Sequence, residues 1–79
     1  HNKYIGWTLE GDLEHEKSSV AVVISTSEDG FKRMYVGTQN VGETYIDIMG
    51  NSDEKIVIDE SGCGNFEVKG KSVSIWIKR

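Results

Sequence analysis

Ser72-Val73-Ser74-Ile75-Trp76-Ile77-Lys78 runs to one residue short of the end of the chain and alternates with a period of two. That spacing sends successive side chains to opposite faces of an extended strand. Val73, Ile75 and Ile77 share one face, expected to point to the core, while Trp76 shares the other with Ser72, Ser74 and Lys78. Residues 65–69 alternate in the same way, and Gly70 with Lys71 predicts a tight hairpin joining the two runs, the pairing the sequence marks most clearly.

Working outward, residues 55–59 form a short apolar run, and the glycines of Glu60-Ser61-Gly62-Cys63-Gly64 predict a second hairpin after it. Residues 43–48 read as a strand that stops at Gly50-Asn51-Ser52-Asp53, a cluster of turn formers. Residues 32–36 and 19–25 read as two more, joined through Ser27-Glu28-Asp29-Gly30, whose Asp-Gly step is a hairpin signal. The first strand covers residues 4–9, with Ile5, Trp7 and Leu9 on one side, and residues 10–17 are a solvated loop. About seven strands result.

Composition agrees with that count. Eight Val and eight Ile stand against two Leu and one Ala, and β-branched side chains lose rotamer freedom in a helix but pack well on a pleated surface. With no helical pattern between the strands, the fold class is all-β, an antiparallel sandwich or small barrel, and a parallel sheet is excluded. The 79 residues suit a single domain over 1–79. A chain opening on His1 rather than Met is expected to be an excised piece or a processed product.

A net charge of −4, spread in short mixed groups, argues against a nucleic-acid partner, which needs a basic stripe to displace counterions. No apolar run exceeds the five residues 20–24, so no membrane span is expected. The single Cys63 forms no internal disulfide and leaves the compartment, cytoplasmic or secreted, open.

Candidate chemistry is sparse. The carboxylates Asp47, Asp59 and Glu67 fall on the polar phases of their strands and are expected to face water, and no nucleophile motif surrounds any Ser or Cys63. Asp12, Glu14, His15 and Glu16 form a small acidic cluster without zinc or calcium-loop spacing, so no metal site is assigned. Aromatic rings are the better candidates, because a ring offers a flat apolar face to a core, a partner or a sugar. Trp7 and Phe66 are expected in the core. Trp76 is expected on the outer face of its sheet, either as a contact surface or covered by a neighbour, and Tyr35 and Tyr45 share that ambiguity.

Four blocks in fixed order carry a resemblance. Ile5-Gly6-Trp7-Thr8-x-Glu10-Gly11-Asp12, Lys32-Arg33-Met34-Tyr35-Val36-Gly37, Gly42-Glu43-Thr44-Tyr45-x-Asp47-Ile48-x-Gly50-Asn51, and Gly70-x-Ser72 through Arg79 cover nearly the whole chain. They resemble the C-terminal domain of bacterial alpha-amylases of the liquefying type, which are glycoside hydrolases. The resemblance implies an antiparallel Greek-key β-sandwich of about seven to eight strands attached to a catalytic (β/α)8 barrel. It places the catalytic carboxylates on that barrel, so none belongs to this chain, and it implies an accessory role: covering apolar barrel surface, stabilising it and helping to hold polysaccharide.

Some liquefying amylases hold a calcium ion between barrel and C-terminal domain with a His-Asp pair before the first strand and an Asp near the first hairpin. The matching positions here read Asn2-Lys3 and Thr26, and a protonated Lys has no lone pair for a cation. No cofactor is therefore assigned to this chain, and calcium is left to the parent barrel. Two rival roles stand beside the accessory one: a carbohydrate-binding module contacting α-glucan through Trp76, Tyr35 and Tyr45, and a free-standing protein-interaction domain.

Overall fold

A computed structural model describes residues 4–9 and 19–79. Seven strands lie among them, in chain order β1 (Tyr4–Leu9), β2 (Val20–Ser25), β3 (Gly30–Tyr35), β4 (Thr44–Asp47), β5 (Ile56–Val57), β6 (Cys63–Val68) and β7 (Val73–Lys78), with one 3₁₀ turn at Thr38–Asn40. Every pair is antiparallel. A five-stranded sheet in the order β1-β2-β7-β4-β5 is faced by the two-stranded sheet β3-β6. The all-β reading and all seven strands hold, with no end displaced by more than two residues. The predicted loop at 10–17 lies outside the described residues, as do Asn2, Lys3 and the acidic cluster.

The core lies between the sheets. Trp76, Phe66 and Tyr45 are fully buried there, with Ala21, Val23, Val36, Ile58 and Val68 around them. The Phe66 ring stands 5.7 Å from Tyr45 in an edge-on arrangement and 6.1 Å from Trp76 at a tilt, geometries favoured by the ring quadrupoles. Trp76 Nε1 donates to the Glu67 carbonyl at 3.0 Å, so its one polar atom is satisfied from the opposite sheet.

This arrangement overturns the expected phase of the last strand. Ser74 and Trp76 point inward, and Val73, Ile75 and Ile77 point outward. Both faces of that strand are apolar enough to be buried, so alternation alone does not choose between them. The volume of the indole does, once Phe66 and Tyr45 line the space opposite. The first strand is inverted for a complementary reason: Tyr4, Gly6 and Thr8 face the other sheet, and Trp7, expected in the core, is 53% exposed. A Cβ at Gly6 would sit 2.6 Å from Met34 Sδ and 2.9 Å from the Val22 carbonyl, so the inner side of β1 has room only for a hydrogen there. Thr8 Oγ1 donates to the Tyr35 carbonyl at 2.8 Å and Tyr4 OH to that of Asp29 at 3.1 Å, tying β1 across to both ends of β3.

The expected hairpins are also corrected. β6 pairs with β3 and β7 with β2 and β4, so Gly70-Lys71 does not close a ladder but carries the chain from one sheet to the other. Residues 27–29 make the matching crossing from β2 to β3. Gly70 N–H donates to Asp29 Oδ1 at 2.6 Å, which fastens these two arches side by side. Likewise β5 pairs with β4, and the turn at 59–63 leads into β6 in the opposite sheet. A glycine turn permits chain reversal. It does not specify whether the chain returns to its own sheet or crosses.

Asp47, expected to face water, is buried at 7% exposure. Its Oδ1 accepts from the N–H groups of Met49 and Ile75, and its Oδ2 from Asn51 N–H and the Ser74 hydroxyl, all at 2.9–3.2 Å. One carboxylate thereby shapes the turn after β4 and locks β4 to β7. Asp47→Ala strands these donors and should cost about 3 kcal/mol or more of unfolding free energy in urea denaturation. Acrylamide should quench the emission of Trp7 and leave that of Trp76 largely protected, so that Trp7→Phe removes most of the quenchable signal.

Candidate docking face

Strand pairing aligns the outward side chains of the large sheet into rows. Ile5, Ile24 and Val73 form one, Trp7, Val22 and Ile75 a second, and Leu9, Val20, Ile77 and Ile46 a third. Ile48 extends the second row, its N–H donating to the Ile75 carbonyl at 2.9 Å. These eleven positions carry no charge and no polar group except the Trp7 indole N–H. The edges are open, with Leu9 61% exposed; Val20, Val22, Ile24, Val73, Ile75 and Ile77 shield one another to half-burial. At normal strand and residue spacings the rows project over on the order of 400 Å², a size at which the largest apolar patch of a monomer is often functional.

The residues singled out as carbohydrate contacts are not brought together. Trp76 and Tyr45 are in the core, so neither ring presents a face to solvent in this fold. Tyr45 OH is hydrogen-bonded to the Ser19 hydroxyl, and burial pushes its phenol above its ordinary value despite that bond. Tyr35 alone of the three is exposed, on the outer side of β3, with Phe31 on the same side. Phe31 was missed because the predicted strand began one residue after it; the Asp-Gly step before it was the available signal.

Among the described residues no group of three or more His, Cys, Asp or Glu side chains is placed to hold a metal ion. Thr26 sits exposed in the arch after β2 and offers one neutral hydroxyl, which does not fit calcium's demand for six to eight oxygens with carboxylates among them.

A model of the family described as "Alpha-amylase C-terminal" matches residues 20–77. The chain belongs to this family. Over all 79 residues it is 49% identical to an alpha-amylase of Bacillus licheniformis and 42% identical to a glucan 1,4-alpha-maltohexaosidase of Bacillus sp. (strain 707). It is also 39% identical over 56 residues, 71% of its length, to a cytoplasmic alpha-amylase of Escherichia coli (strain K12). It spans 15% of each Bacillus protein and 11% of the Escherichia coli one. The chain is thus an accessory domain of the alpha-amylase type, and the part matched by the family model carries eight of the eleven outer-face positions.

The opposite surface mixes exposed rings with charged groups. Arg33 on β3 reaches Asp59 at 2.7 Å. That guanidinium, with the N–H groups of Cys63 and Ser61, holds the Asp59 carboxyl below the usual carboxylate range. A carboxyl depressed in the folded state stabilises above its unfolded value, about 3.9, and that contribution is lost as pH falls through the lower folded value. Arg33→Met should therefore flatten part of the stability loss below about pH 4, read from thermal midpoints across pH.

With these apolar rows on the outer face, the chain should bind the dye ANS and sediment with rising apparent mass as concentration increases. Trp7→Thr with Ile75→Thr should suppress both and leave cooperative unfolding intact.

Proposed function

We propose that this chain is the non-catalytic C-terminal domain of an alpha-amylase polypeptide and that the outer face of its five-stranded sheet seats on the catalytic domain of that polypeptide. The single observation behind the reading is the set of three uncharged rows on a sheet whose other face already holds the core. A soluble sheet normally alternates apolar inside with polar outside. A sheet apolar on both faces is built to be covered twice, and interfaces between domains of one chain supply such cover.

Family membership supports the partner. The matched alpha-amylases extend well beyond the segment this chain resembles, and a (β/α)8 barrel among that remainder carries the chemistry in this reading. The parent hydrolyses internal α-1,4 bonds of starch or glycogen with retention, and any calcium it uses is held by its catalytic domain. A free-standing interaction domain would use the same face for a separate protein. Coding sequence immediately upstream of His1 separates the two: a barrel-encoding reading frame supports the accessory role, and a start codon there overturns it.

Two further outcomes are expected. The 79-residue chain releases no reducing sugar from starch after rigorous purification. In the full polypeptide, Trp7→Thr with Ile75→Thr lowers the thermal midpoint of amylase inactivation by several degrees, because the joint loses on the order of 2–4 kcal/mol of apolar burial. An unchanged midpoint in that polypeptide would sink the docking assignment.

A further inference from the structure

Phe31 on β3 stands opposite Glu67 on β6, and both side chains lie on the outer side of that two-stranded sheet. The ring is 58% exposed and the glutamate half-buried. Beside them opens a cavity of about 340 Å³ walled also by Asp29, Ser52 and Lys69, a volume within the range of small-ligand sites. The two crossings between the sheets supply Asp29 and Lys69, and the stretch between β4 and β5 supplies Ser52. The Gly70 N–H, donating to Asp29 Oδ1 at 2.6 Å, holds the crossings together at this point.

The charges on these walls do not cancel, since two carboxylates stand against one ammonium. Asp29 lies 4.0 Å from the Lys69 ammonium, so those two groups offset each other. The Glu67 carboxylate has no hydrogen-bond or ion-pair partner among the described residues. An anion is repelled by it, and a neutral ligand removes its water while leaving the excess charge in place. A cation compensates it. The donor set then divides the cations. Calcium and magnesium take six or more oxygen ligands, whereas this cavity sets one uncompensated carboxylate beside an aromatic ring. A ring face offers nothing to coordinate a metal ion, but its quadrupole attracts an organic cation, whose carbons also pack against it.

We infer that the Phe31–Glu67 cavity is a site for a small organic monocation, an alkylammonium or guanidinium group, whose N–H donates to Glu67 and whose carbons lie on Phe31. The group can come as a free amine or as a Lys or Arg side chain, because the cavity engages only the charged head and the carbons next to it. Lys69 sets the limit on affinity: its ammonium repels the ligand, and its side chain, 58% exposed, is free to turn toward water when the site fills. The assignment rests on the cavity alone and does not depend on what covers the outer face of the five-stranded sheet.

Titration of the 79-residue chain with n-butylammonium chloride at low ionic strength, followed by amide chemical shifts, tests this. Saturable shifts should appear at residues 29–31 and 67–69, and n-butanol, the uncharged isostere, should produce none. Glu67→Gln keeps the size and an acceptor oxygen but removes the charge, and should weaken binding about tenfold, the effect of losing one charge-assisted hydrogen bond. Phe31→Leu keeps an apolar wall and removes the ring, a loss of about threefold. Lys69→Met should tighten binding, because the repelling ammonium is gone; a site for an anion would weaken instead. None of the three side chains belongs to the core, so each variant should keep the parent's thermal midpoint. N-acetyl-lysine methylamide separates the two sources: saturable shifts at the same amides admit a side chain as ligand, and their absence restricts the site to free amines. The absence of saturable shifts with butylammonium, equal binding of butanol, or an unchanged affinity in Glu67→Gln overturns the site. Calcium chloride saturating the same amides at lower concentration than butylammonium overturns the organic class. None of these readouts involves the docking proposal, which is tested on the full polypeptide by its thermal midpoint.

Discussion

The contact of Trp76 with Phe66 is the constraint from which the rest of the molecule follows. The indole occupies the space between the two sheets, and its N–H is satisfied by the Glu67 carbonyl on the opposite sheet. With Trp76 turned inward, the period of the strand leaves Val73, Ile75 and Ile77 no alternative but the outer side. Because β7 lies in the middle of the five-stranded sheet, pairing passes this orientation to β2 and β4, and from β2 to β1. One side chain's placement thus sets the facing of a whole sheet.

Asp47 holds that orientation in register. Its carboxylate takes four hydrogen bonds from β7 and from the turn after β4. A slip of one residue between these strands would expose the carboxylate on the apolar side and leave its donors buried. A buried charge next to the core is tolerated here because every lone pair that matters has a donor, the condition under which such groups specify structure rather than undermine it.

The two outer surfaces that result are opposites. One is flat, apolar and uncharged, suited to a large complementary protein surface. The other bears separated rings, an ion pair between Arg33 and Asp59, and a cavity with mixed charge beside Phe31. Hydration separates their roles: the first loses little when water leaves it, whereas the second needs polar replacement for the water it gives up. The uncharged face is the one that the proposed seat on another domain of the polypeptide would cover.

The all-β class, the seven strands and the family were legible in the order of residues, because period-two alternation, β-branched composition and glycine-bearing turns are local properties. The absence of a basic stripe was equally plain. The facing of β1 and β7 was not, since both sides of those strands are apolar and the deciding facts are the void that Trp76 fills and the crowding at Gly6. Nor was the partner of each strand: Gly70-Lys71 and Asp29-Gly30 announce a reversal in either a hairpin or an arch, and only packing between sheets selects the arch. The carbohydrate candidates divided on the same ground. Tyr35 stayed outside while Trp76 and Tyr45 went in, because burial depends on what stands opposite a ring across the sandwich, a neighbour that lies far away along the chain.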